Sequence, residues 1–145
     1  MPDSYLNAIE RMRDSSRLLH GSKQFHNACY LGGYVVECYL KILHSLSSLQ
    51  RPAGRGRGAY GHNIQALNAD LVYALTSSTA TARMRQYLLD ISIECASILA
   101  TWNPNYRYDD GTIGWNEPTS NAFQSELEKC YEKVIKMLVD AVITH

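Results

Sequence analysis

Residues 28–46, ACYLGGYVVECYLKILHSL, decide the fold. Phe25, Ala28, Leu31, Val35, Cys38, Ile42, Leu46 and Leu49 recur at steps of three and four, the period of a helix with one buried face. The pattern predicts a helix from Ser22, which can cap it, to Leu49, about 42 Å long at the usual rise. Gly32 and Gly33 sit at its middle. Each costs about 1 kcal/mol relative to alanine in a helix interior, so the pair predicts that another element packs tightly there. Glu37 lies inside YVVEC, where a bare carboxylate is costly to bury. Lys41 stands one turn further on, the better orientation for an ion pair along a helix.

Outward from this stretch the chain alternates helical patterns with turns. A first helix is predicted over 3–19, with a sparse inward stripe of Leu6, Ile9, Met12 or Arg13, and Leu19, and a stop at Gly21. Residues 50–61 carry Pro52, Gly54, Gly56, Gly58 and Gly61 and cannot hold a helix. A third helix follows over 63–75 on Ile64, Leu67, Leu71 and Leu75, then a polar turn over 76–81. A fourth is predicted over 82–101, with Met84, Leu88, Ile91, Cys95, Ile98 and Leu99 facing in. Residues 103–118 read as an irregular loop. Pro118, with Thr119 and Ser120 as caps, opens a last helix over 119–142. Its apolar stripe is Phe123, Leu127, Cys130, Val134, Leu138 and Ala141; Glu126, Lys129, Lys133 and Lys136 form its wet side. Five helical patterns without an alternating segment predict one all-α domain spanning 1–145, an up-and-down bundle of about five helices.

Composition narrows the classes. The chain is 46% apolar and 19% charged, with zero formal net charge, so it is no polycation built around nucleic acid. Residues 1–61 hold eight Lys or Arg against four acids, +4, which leaves −4 for the rest. No segment is long and apolar enough to span a membrane, and no signal peptide is visible, so a cytoplasmic protein is expected. Cys29, Cys38, Cys95 and Cys130 lie far apart inside apolar patterns and read as reduced core residues. There is no Walker loop, GxGxxG, HExxH or paired-Cys motif, so neither a cofactor nor a metal is indicated.

Three blocks, in order, resemble HEPN domains. ACYLGGYVVECYLKILHSL is similar to the family helix in which a small residue leads an apolar stretch to Glu37 and Lys41. GHNIQALNADL, 61–71, resembles the Gly-His segment that opens the next helix, with His62 at its start. WNPNYRYDD, 102–110, is similar to the aromatic segment after the fourth helix, with Arg107 and Tyr108 in the matching places. The resemblance covers about residues 20–140. It implies a helical bundle associated with nucleotides or RNA, acting as a homodimer or beside a minimal nucleotidyltransferase.

The residues support a cluster of Glu37, Lys41, His62, Arg107 and Tyr108, either structural or ligand-facing. A buried Glu–Lys pair needs further donors, and His62 and Arg107 are the candidates. Arg107 to Glu37 is the first expected clamp; a phosphate or base-stacking site at Arg107 is the second. His62, near a helix N-terminus, suits an anion or a cap. Ribonucleases of the family carry an Arg and a His with four to six residues between them, chemistry that pairs a proton carrier with a phosphate-stabilising cation. Arg13 with His20, and Arg57 or Arg55 with His62, meet that spacing. None lies near the start of a late helix, so the motif reads as absent and a non-catalytic binding module is expected. The alternatives are a ribonuclease of the toxin or defence class and a purely structural helical interaction domain.

Overall fold

The computed structural model describes residues 2–47, 60–77, 79–109 and 114–145. Among them the chain is all helical, with no strand. Six α-helices are present: α1 (Pro2–Gly21), α2 (Phe25–Leu46), α3 (Ile64–Ser77), α4 (Ile91–Glu94), α5 (Ala96–Thr101) and α6 (Glu117–Val139). Two 3₁₀ segments, Thr79–Tyr87 and Pro104–Tyr108, precede α4 and α6.

The central helix is α2. Ala28, Cys29, Val35, Val36, Cys38, Tyr39, Leu40, Ile42 and Leu43 are all buried, so α2 is covered nearly all round by α1, α3 and α6. One continuous apolar cluster draws on α1 through Leu6 and Ile9, α3 through Leu67, Leu71 and Leu75, and α6 through Phe123, Leu127, Val134 and Met137. No helix among the described residues is long and apolar enough to cross a membrane. All four cysteines are free and buried. Burial pushes the Cys29 and Cys38 thiols up to about 12, far from the reactive thiolate range.

The turn between α1 and α2 is tight. The N–H groups of Ser22, Lys23 and Gln24 donate to the carbonyls of Leu18, His20 and Leu19, closing the C-terminus of α1. Ser22 therefore belongs to this turn and does not cap α2. Gln24 takes the cap position, with no side-chain bond. Lys23 adopts φ +62°, a left-handed conformation that costs a side-chain-bearing residue free energy. Lys23→Gly is expected to raise the unfolding free energy by about 0.5–1 kcal/mol, read from the shift in urea midpoint at constant m-value.

Gly32 and Gly33 mark two close approaches. A Cβ on Gly32 would stand 3.1 Å from Leu127 Cδ2 and 3.4 Å from Ser16 Oγ, where α1, α2 and α6 meet. A Cβ on Gly33 would lie 2.1 Å from the indole of Trp102. The glycine pair is thus spent inside the chain, on an indole and a helix junction.

The single fourth helix expected over 82–101 is not formed. A 3₁₀ segment, a break at 88–90 and two short helices replace it. Distant side chains take over the backbone bonds that a continuous helix would have made. Tyr39 Oη donates to the Tyr87 carbonyl (2.6 Å) and accepts from the Leu89 N–H (2.8 Å). Asn68 Oδ1 accepts from the Ile91 N–H (3.1 Å), and Asn68 Nδ2 donates to Asp90 (3.0 Å). Asp90 caps α4 by accepting from the Ser92 N–H. Glu126, expected on the wet side of α6, instead accepts from the N–H groups of Ile98 (2.9 Å) and Ser97 (3.3 Å) at the start of α5. At the last helix the cap is Asn116, with Pro118 in the first turn, so α6 starts two residues earlier than expected.

Hydrogen bonds from Ser92 and Asn68 hold the Asp90 carboxyl below its usual range. A folded-state pKa below the unfolded one adds stability above the unfolded value, and that stability is lost as pH falls through the folded one. Asp90→Asn is expected to flatten the acid limb of the stability profile below about pH 4, the unperturbed carboxylate range, and to leave its slope above pH 6 unchanged. Denaturation series at stepped pH check this.

Candidate functional site

Glu37 lies on the buried middle of α2, its side chain 7% exposed. An isolated carboxylate there would be strongly disfavoured. Two partners answer it. His62 Nδ1, just before α3, donates to Oε1 at 2.7 Å, and Lys41 Nζ stands 3.5 Å from Oε2. The structure therefore brings together Glu37, Lys41 and His62.

Arg107 and Tyr108 stand apart from this group. Arg107 lies over the Tyr108 ring, 5.6 Å from its centroid, and Tyr108 is 84% exposed. The expected Arg107–Glu37 clamp is not formed. Arg107 sits in the second 3₁₀ segment, which His26 anchors by donating from Nε2 to the Tyr106 carbonyl (2.7 Å). That anchor leaves the guanidinium exposed, where its charge only partly opposes the rise that burial gives the Tyr34 pKa.

An aromatic group that the sequence reading did not assemble completes the site. Tyr34 meets His62 edge-on at 5.7 Å and Trp102 edge-on at 5.0 Å. Its hydroxyl lies 3.3 Å from that of Tyr30. Trp102 Nε1 donates to the Tyr30 carbonyl at 2.9 Å, so the indole is locked across Gly33. Burial raises the Tyr34 pKa, helped by Tyr30 and the Glu37 charge, so its hydroxyl stays protonated. The signal available in the sequence was the Gly-Gly pair, which demands a flat neighbour, together with Trp102 at the end of a helix.

His62 and Trp102 open on a cleft of about 450 Å³. Tyr60, Asn63, Ile64 and Gln65 form one wall and Leu99, Asn103, Pro104 and Asn105 the other. His62 is 52% exposed, and its Nε2 has no hydrogen-bond partner among the described residues. A histidine held from behind by a carboxylate, with its other nitrogen facing a cleft, can accept or donate one hydrogen bond in a fixed direction.

The alternative catalytic pairs are placed differently. Arg13 forks onto Glu128 of α6, with Nε 2.7 Å from Oε1 and Nη2 3.1 Å from Oε2, and its guanidinium lies 4.3 Å from the Tyr131 ring centroid. His20 shares a hydrogen bond with Ser120 Oγ at 2.7 Å and packs against Phe25. Both tie α1 to α6, through separate contacts. Arg55 and Arg57 lie outside the described residues. No group of three or more His, Cys, Asp or Glu side chains among the described residues is arranged to hold a metal. No family model, curated protein or solved structure matches the chain.

Proposed function

We propose that the chain is a HEPN-like binding module without ribonuclease activity, associated with nucleotides or RNA, and that its ligand seat is the cleft beside His62. The observation that carries this reading is the buried Glu37 holding His62, a cleft-lining residue whose Nε2 has no partner among the described residues. The segments that resemble the family contribute Glu37 and Lys41, His62, and Trp102 to this one place. The spent state of Arg13 argues against cleavage. A guanidinium forked onto Glu128 and stacked on Tyr131 is not available to a scissile phosphate. The partner this reading favours is a second copy of the chain, in a homodimer, with a separately encoded minimal nucleotidyltransferase as the alternative.

The test is an assay with labelled single-stranded RNA. The purified chain is expected to leave the RNA intact. Arg13→Ala is expected to lower the melting temperature through loss of the Glu128 pair, with no change at the RNA. Cleavage by the parent that disappears in His20→Ala or His62→Ala would establish the ribonuclease reading instead.

A further inference from the structure

Within the proposed seat the hydrogen-bonding groups are specific enough to define a ligand class. We infer that the cleft takes an uncharged, planar heteroaromatic molecule with a mixed donor and acceptor edge, a nucleoside, and not an anion. This rests on the cleft being the binding seat.

Charge comes first. The described lining includes no Lys, Arg, Asp or Glu. Phosphate recognition normally draws on Arg, Lys or free backbone N–H groups. Lys41, beside the site, is already paired with Glu37. The N-terminus of α3 is also largely occupied. The Ile64 N–H donates to the His62 carbonyl (3.0 Å), the Ala66 N–H to Asn63 Oδ1 (3.0 Å) and the Leu67 N–H to the Asn63 carbonyl (3.2 Å). An anion arriving there finds these three N–H groups already engaged.

The polar side chains then specify the edge. Asn63 Oδ1 is engaged by Ala66, and Asn103 Oδ1 accepts from the Asn105 N–H at 2.9 Å, which leaves Nδ2 of each as a donor. Gln65 Nε2 donates to the Leu99 carbonyl at 3.2 Å, which leaves its Oε1 as an acceptor. With Nδ1–H donating to Glu37, His62 Nε2 is the fourth group, and in the neutral form of the ring it is an acceptor. Two donors and two acceptors, set among Ile64, Leu99 and Pro104, suit a ring with apolar faces and an alternating rim. Nucleobases are read in this way by amide side chains and apolar or aromatic contact. The cleft volume also lies in the range of small-molecule sites.

The experiment is a ¹⁵N–¹H correlation titration of the full chain with adenosine, guanosine, cytidine and uridine, their 5′-monophosphates, and inorganic phosphate. At least one nucleoside is expected to shift the amide resonances of residues 60–65 and 102–106. Its monophosphate is expected to bind within about threefold of it, and inorganic phosphate to leave those resonances unmoved. Asn103→Asp keeps an oxygen to cap the 3₁₀ segment and replaces the donor with a charge. It is expected to keep the parent melting temperature and to weaken nucleoside binding at least tenfold. A monophosphate binding tenfold or more tighter than its nucleoside, or phosphate alone shifting the cleft, would overturn the ligand class and leave the cleft as the seat. Cleft resonances that no probe moves would overturn both.

Discussion

Glu37→Ala is expected to lower the unfolding free energy by about 2–4 kcal/mol, measured by urea denaturation. Removing one member of a buried ion pair typically costs about 3–5 kcal/mol because the partner is stranded. Here the stranded partners are Lys41, mostly covered, and His62, half-exposed, so solvent recovers part of the loss. Glu37→Gln keeps the volume and an acceptor for the His62 N–H, and is expected to cost less than half as much. A Glu37→Ala protein with the parent midpoint would show that the carboxylate does not organise the centre of α2. The same variant frees the His62 ring to rotate, so any ligand held through Nε2 is expected to weaken in Glu37→Ala and Glu37→Gln alike, more in the former.

The reading of α2 from sequence rested on a pattern that physics makes hard to mistake. Ala28, Val35, Cys38 and Ile42 are buried as their spacing requires. Val36, Tyr39, Leu40 and Leu43 are buried too, because neighbours cover α2 on several sides, and a one-face stripe understates that. The α1, α3 and α6 patterns were legible for the same reason. The fourth helix was not. Its apolar spacing suited a helix through 82–101, but pattern reading sees only side-chain burial, not competing backbone partners. Tyr39, Asn68 and Glu126 supply those partners from other elements, and within 82–101 only Asp90, a good N-cap residue, announces the break.

The site was legible by half. Glu37 and Lys41 share one helix and one turn, so their pairing followed from spacing alone. The approach of His62 to Glu37 depends on how α3 returns after the segment following α2, and His62 was one of two candidates for it. Arg107 was the other. It seemed equivalent because an arginine among aromatics suits a clamp, but the His26–Tyr106 bond sets the segment with Arg107 outward. Tyr34 was passed over because a tyrosine in an apolar helix reads as core. Its place between His62 and Trp102 is set by three elements at once.

The second large effect is expected at Gly33. Gly33→Ala should lower stability by about 2–4 kcal/mol, while Gly32→Ala should be close to neutral. Both substitutions gain about 1 kcal/mol of helix propensity, so propensity cannot separate them. At Gly32 the nearest atom is a leucine methyl at 3.1 Å, the movable end of a flexible side chain. At Gly33 the new methyl would stand 2.1–2.2 Å from three atoms of a rigid indole. Trp102 cannot yield by a small rotation, because its Nε1 is held by the Tyr30 carbonyl and its ring abuts Tyr34. The indole must leave its seat, losing that hydrogen bond and part of its burial, beyond the about 1–3 kcal/mol usual for overpacking. Expulsion should also red-shift tryptophan emission, most cleanly in a Trp115→Phe background. Since Trp102 and His62 line the same cleft and both rest on Tyr34, Gly33→Ala should weaken whatever the cleft binds, without touching a lining residue. Equal midpoints and unchanged emission for the two alanine variants would mean that Trp102 does not pack on Gly33.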